Sequence, residues 1–136
     1  MKKQLIIIGI IILLIAVGLS GCQENNISDN LIDASNEVQL VSHSIRIAQG
    51  WCDIPNGMQV MEVRLVSGTI KNIAGRNIDT VYVRVRFYDW DNKLLFTSTT
   101  TVSYLGRGLT DDFSVQYCSN EPYYETYDHY TIEVLI

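Results

Sequence analysis

Histidine occurs only twice in this chain, at His43 and His129, and neither lies in a Gly-x-Ser-x-Gly elbow or a His-Glu-x-x-His helix. With no nucleophile–base pair to name, the sequence offers no catalytic residue, and enzyme chemistry is not expected. Metal ligands are equally sparse. His129 follows Asp128 and stands four residues after Glu125, but in a loop that spacing fixes no geometry, and a metal site needs a fuller set. Asp89-x-Asp91 starts as a calcium loop starts, yet Lys93 occupies the place of the next oxygen ligand and no glutamate closes the segment. Asp111-Asp112 suits a turn ahead of a strand. No metal and no cofactor are expected. Basic side chains are scarce as well: 10 Lys and Arg against 15 Asp and Glu give a net charge of −5 at pH 7. Such a surface repels nucleic acid and anionic headgroups rather than gathering them. Beyond residue 22 no stretch carries a helical period, which leaves strands to build the fold.

What is present begins with an address. Lys2 and Lys3 precede a charge-free run over residues 5–19, 15 residues long and short of the ~20 that span a bilayer comfortably. The run ends in Leu19-Ser20-Gly21-Cys22, small residues directly before a cysteine, as at a processing site. This tetrad resembles the lipobox of prokaryotic lipoproteins. The resemblance implies a signal peptide over residues 1–21, cleavage before Cys22 and lipid on its sulfur. An uncleaved anchor helix is the alternative, and either reading ties the remainder to the cell membrane, outside the cytoplasm. Removing 21 of the 136 residues leaves 115, enough for one domain. Of the 10 basic residues, losing Lys2 and Lys3 leaves 8 against 15 acidic ones, a net −7. Residues 22–36 are polar and without periodicity, a lipidated cysteine followed by a flexible tether. They include the sequon Asn26-Ile27-Ser28.

Residues 37–136 hold the domain. Its clearest signal is a strand in which Val81, Val83, Val85 and Phe87 share one face, while Tyr82, Arg84, Arg86 and Tyr88 share the other. Period two with β-branched and aromatic residues describes a half-buried strand. Arg84 and Arg86 between tyrosines form its solvated side. A first strand is expected over residues 37–47, then turn chemistry over 50–57 from Gly50, Asp53, Pro55, Asn56 and Gly57. In the second strand Met61, Val63 and Leu65 keep one phase and Val66, Gly68 and Ile70 the other, which suggests a bulge near Ser67-Gly68. Asp91-Asn92-Lys93 reads as a tight turn, with Asn92 suited to positive φ. Residues 94–104 read as one strand, Phe113, Val115 and Tyr117 as another, and residues 119–128 as a loop before a last strand with Tyr130, Ile132 and Val134 on one face. Six or seven strands without helices imply an all-β antiparallel sandwich.

The motifs Val66-x-Gly68-x-Ile70-x-Asn72, Val83-x-Val85-x-Phe87-Tyr88-Asp89 and Leu105-x-x-Gly108 resemble the FxLYD domain. That family comprises immunoglobulin-like domains of exported bacterial and archaeal proteins, often lipoproteins. Val85 and Phe87 stand where its naming Phe and Leu would be, and Arg107 where a proline is usual. The resemblance implies an immunoglobulin-like fold and an extracytoplasmic address, and the family carries no established activity.

With Cys22 assigned to lipid, Cys52 and Cys118 form an even pair in a compartment that tolerates disulfides. A bridge would close a long loop and contribute ~4 kcal/mol in the chain-entropy model. Two separate buried thiols are the alternative. In an antiparallel chain the connections alternate between the two ends. If residues 94–104 are a single strand, both cysteines lie at one end. Trp51, Trp90 and the pair Tyr123–Tyr124 then fall on the first, third and fifth connections, at that same end and opposite the tether. Trp90, Tyr123 and Tyr124 are the candidate binding residues, with Trp51 expected to pack near the bridge. Loop aromatics either stack on a partner protein or envelope glycan or plug the open end of the sandwich. A non-catalytic surface module or envelope structural component fits these features, as does an accessory lipoprotein of a membrane transport or secretion complex.

Overall fold

Strict alternation in the sequence becomes a strand with one dry face. Val81, Val83, Val85 and Phe87 are fully buried, whereas Tyr82, Arg84, Arg86 and Tyr88 are partly exposed. This strand is one of six in a computed structural model of the chain, which describes residues 31–136. In chain order they are β1 (Val38–Ile54), β2 (Gly57–Asn72), β3 (Ile78–Asp89), β4 (Leu94–Leu105), β5 (Thr110–Cys118) and β6 (Tyr127–Leu135), with a single 3-10 turn, Tyr124–Thr126, ahead of β6. They pair into two antiparallel three-stranded sheets, ordered β1–β2–β5 and β4–β3–β6. Two antiparallel sheets of this kind are compatible with a β-sandwich. Val66, Ile70, Phe113, Val115 and Tyr117 from one sheet meet the β3 face, Val102, Leu105 and Val134 from the other.

The domain starts earlier than residue 37. Ile32 N–H donates to the Ile136 carbonyl, Ile136 N–H returns the bond to Ile32, and Ala34 N–H donates to Val134. Residues 31–36 thus extend the sheet along β6, and Ala34 is buried in the core. Next to the polar residues 23–30, the Leu31, Ile32 and Ala34 of this segment do not stand out in the sequence. Cys22 and Asn26 lie outside the described residues.

At the end where the chain enters, Asn72 is the one buried polar residue among the described residues. Its side-chain amide donates to the carbonyls of Arg76 (2.6 Å) and Leu105 (2.9 Å), and its Oδ1 accepts from Ala74 N–H. A buried amide is tolerated where its donors and acceptor are satisfied. Asn72 thereby fastens the β2–β3 loop to the end of β4.

The β1–β2 hairpin differs most from expectation. Its register runs one-to-one from Ser42↔Thr69 to Ile54↔Gly57, so the expected turn over residues 50–57 contracts to Pro55-Asn56. The bulge near Gly68 lies on the partner strand: Val41 is the extra residue of β1, between Leu40 and Ser42. A Cβ at Gly68 would lie 2.2 Å from the Ser42 carbonyl oxygen, so only glycine accepts the bulged strand there.

The phase change within β2 has a second cause. Val63 and Val66 are both buried although three residues apart, hence on opposite faces. Val66 faces the core. Val63 faces outward and is covered by its own hairpin, whose distal half coils back over the sheet. Through this coil β1 meets β5 even though β2 lies between them. Gln116 Nε2 donates to the Trp51 carbonyl (2.6 Å), Asn120 Nδ2 donates to the Asp53 carbonyl (2.8 Å), and Cys52 is bridged to Cys118 with Cα atoms 6.0 Å apart. The expected disulfide is therefore present.

Gly50 permits this crossing. A Cβ on it would lie 2.6 Å from Gln116 Oε1 and 3.1 Å from the Val63 side chain. Gly50→Ala is expected to lower unfolding free energy by about 1–3 kcal/mol, the usual range for overpacking, as measured by urea denaturation. An unchanged midpoint would contradict the seating of the hairpin on β5.

Candidate functional site

Two side-chain contacts fix which connections share an end. Asn120, in the β5–β6 loop, bonds the Asp53 carbonyl near the β1–β2 turn, and Lys93 Nζ lies 4.6 Å over the Tyr123 ring, joining the β3–β4 turn to the same loop. At the other end Ile73 N–H donates to Glu37 and Arg107 N–H donates to Asn77 Oδ1. The first, third and fifth connections therefore converge opposite the chain entry. This follows from β4 being one uninterrupted strand.

The β3–β4 turn is built to project Trp90. The Asp89 carboxylate accepts from the N–H groups of Asp91 and Lys93, both at 2.9 Å, and Asn92 N–H closes on the Asp89 carbonyl. Asn92 takes φ 62°, the left-handed conformation that asparagine tolerates best after glycine. The Asp89 carboxylate is thus occupied with its own turn, which Asp91 enters through its N–H. Trp90, between them, is 78% exposed.

Tyr123 is held differently. Its backbone is left-handed, φ 66°, a conformation that costs a bulky residue on the order of 1–3 kcal/mol. The Tyr123 carbonyl accepts from both Thr126 N–H and Thr126 Oγ1, which locks the 3-10 turn beneath it. The ring remains 59% exposed, with the Lys93 ammonium over one face. Strain at an exposed aromatic is not repaid by burial of that aromatic.

Tyr124 does not belong to this surface. It is 2% exposed, with its ring edge-on to Tyr117 at 5.2 Å. Its hydroxyl donates to Glu62 Oε1 at 3.1 Å. The Arg64 guanidinium lies 4.6 Å from the ring centroids of both Tyr124 and Tyr127. Successive residues of a tight turn point in different directions, so of the Tyr123–Tyr124 pair one side chain faces out and the other closes the core. A continuous aromatic layer results, in which Phe96 stacks on Tyr117 at 4.8 Å and Phe87 tilts against it at 4.9 Å. Tyr124 and Tyr127 are the end plug.

Trp51 also departs from expectation. It lies within β1, not in a loop, and is 62% exposed rather than packed. Cys52 takes the covered face to reach Cys118, and alternation turns Trp51 the other way. Val60 is its direct cross-strand partner and Met58 lies two positions along the same face; both are exposed. The sequence pattern singles out neither, because their cross-strand partners Trp51 and Asp53 fall within the expected turn over residues 50–57. Asp53, Asp91 and Glu125 are exposed around the tip.

The remaining candidates have structural partners. His129 Nδ1 bonds Asp128 at 2.9 Å and its ring stacks on Tyr88 at 5.3 Å. Asp112 accepts from the Thr69 hydroxyl and Asp111 from Asp112 N–H. Arg84 and Arg86 share Glu133, at 3.4 and 2.8 Å, across the outer face of β3 and β6. Among the described residues no three His, Cys, Asp or Glu side chains are grouped as a metal would require. The arrangement offers stacking surface and hydrogen bonds. No family model matches the chain, and neither a curated protein nor a solved structure shows detectable similarity to it.

Burial, and after it the hydrogen bond to Glu62, pushes the Tyr124 hydroxyl up to about 12. A raised acid in the folded state contributes stability that is complete below its unfolded value near 10 and is lost as pH rises through 12. The thermal unfolding midpoint is expected to fall over that window, and Tyr124→Phe to flatten the fall. An identical alkaline profile in the phenylalanine variant would contradict the assignment.

Proposed function

We propose that the protein is a membrane-anchored lipoprotein whose immunoglobulin-like domain, of the FxLYD kind, binds a protein or glycan at its aromatic tip without catalysing a reaction. The observation that carries this reading is the exposure of Trp90 and of the strained Tyr123 at the end opposite the chain entry. An end plug accounts for Tyr124 and Tyr127 but not for rings left outside the core. Large aromatics on a rigid scaffold dominate binding energy where they occur in interfaces. The Cys52–Cys118 bridge supports an oxidising, extracytoplasmic setting. The lipobox-like tetrad ending in Cys22 supports anchoring by lipid, for which two or more chains are needed to hold stably. In this arrangement the tip points away from the membrane, toward whatever the cell surface meets.

The test uses the native, membrane-derived protein and the partner that co-purifies with it. Trp90→Ala and Tyr123→Ala are each expected to weaken retention about 30-fold, the equivalent of a ~2 kcal/mol interface anchor. Both side chains are exposed, so the unfolding midpoint should move little. Cys22→Ser should release the domain from the membrane without affecting retention. Retention unchanged in both aromatic variants would sink the tip as the binding surface.

A further inference from the structure

We infer that the opposite end of the domain, formed by Ile73, Tyr104, Arg107 and Leu109, is a foot that rests on the lipid surface to which the chain is anchored. The inference depends on the anchoring reading at Cys22 and concerns a surface separate from the tip.

The first observation is a second strained aromatic. Tyr104 has φ 60° at the end of β4 and is 60% exposed, again a left-handed tyrosine whose ring gains nothing from the core. Leu109 is equally exposed, and Ile73 is about half so. Tyr104 and Leu109 flank one glycine: a Cβ at Gly106 would come within 2.8 Å of Leu109 Cδ1 and 3.9 Å of Tyr104 Cε1. Arg107 lies at the apex between Gly106 and Gly108 and is exposed, and its guanidinium forms no ion pair among the described residues. These groups stand on rigid backbone. Asn72 N–H donates to the Leu109 carbonyl, its side chain to the Leu105 carbonyl, and Asn77 holds Arg107 N–H.

The second observation is where the chain arrives. Glu37 bonds Ile73 through backbone, and exposed Ile32 pairs with Ile136 at this same end. Only residues 23–30 separate Cys22 from Leu31. Even fully extended, a chain of that length spans at most about 30 Å, which bounds how far a lipid on Cys22 can lie from this end. Within that reach, the lipid surface is the one neighbour that the anchor itself supplies. The chemistry matches an interface: a tyrosine ring with one wet edge, Leu and Ile for the acyl boundary, and an unpaired arginine for phosphate oxygens. On the entering segment Glu37 is paired with Arg76 and Asp33 accepts from Ser35 N–H, so Arg107 is the one cation at the apex, with exposed Asp111 and Asp112 two and three residues past Leu109.

The lipid-bearing, processed chain is reconstituted into phosphatidylcholine–phosphatidylglycerol vesicles with and without brominated acyl chains. Tyr104→Trp and, separately, Leu109→Trp each add one emitter to Trp51 and Trp90, which lie at the far end. The added emission is expected to be blue-shifted and to lose most of its intensity in brominated vesicles, while emission of the native chain is unaffected. Two reporters are used because tryptophan at the left-handed position could perturb folding, which Leu109→Trp avoids. Added emission that stays unquenched while the chain sediments with vesicles overturns the foot and leaves the anchor standing. A blue shift without quenching means a protein neighbour, such as a second copy, and also overturns it. A chain that remains in the supernatant overturns anchor and foot together.

Discussion

An edge strand that crosses its neighbour is the constraint on which the tip depends. β1 and β5 flank β2, and a flat sheet would hold them a strand apart. Here the distal hairpin coils over the outer face until Cys52 reaches Cys118 and Gln116 reaches the Trp51 carbonyl. Three consequences follow. Val63 gains a covered site outside the main core, a side chain at Gly50 would crowd Gln116 and Val63, and Trp51 is turned outward with Val60 and Met58 beside it. The coil also closes the free edge of β1 near its end, since the Trp51 and Asp53 carbonyls are taken by side chains of the β5 side. An unpaired edge strand of this length invites pairing with other chains.

Behind the tip, the core is finished by aromatics rather than by aliphatic residues. Phe87, Phe96, Tyr117, Tyr124 and Tyr127 form a layer into which Arg64 inserts its guanidinium. The Tyr117 hydroxyl donates to the Pro122 carbonyl, so the layer also holds the loop that raises Tyr123. Positioning and packing are thus joined in adjacent residues: Pro122 and Tyr124 are fastened inward, and Tyr123 between them is forced out at positive φ. The lower end follows a similar logic with Asn72 in place of the aromatics. Each end presents one left-handed tyrosine, Tyr123 on a braced loop and Tyr104 at the end of β4.

The sequence disclosed what depends on local pattern. Alternation through Val81, Val83, Val85 and Phe87 gave β3 and its inward face; Asp89 to Lys93 gave the turn and its positive φ at Asn92; strand counting placed Trp90 and Tyr123 at one end and brought the cysteines together. What it concealed depends on coiling in three dimensions. The phase change in β2 records two burial environments on opposite faces, and a linear reading assigns it to a bulge. Gly68 did mark a bulge, but one on the facing strand, because its missing side chain answers the Ser42 carbonyl. Tyr123 and Tyr124 are chemically the same, and only the turn decides which is buried. Residues 31–36 read as tether because their pairing is through backbone, which composition does not report.

The bridge holds a local coil, seating the distal β1–β2 hairpin on the β5 side through Cys52–Cys118, Gln116 and Asn120. Amide hydrogen exchange of the full chain, before and after reduction of Cys52–Cys118, tests this seating. Reduction is expected to remove protection from residues 50–61 while Val81, Val83, Val85 and Phe87 in β3 stay protected. Loss of protection in β3 together with the hairpin, or no change in either, would contradict the account.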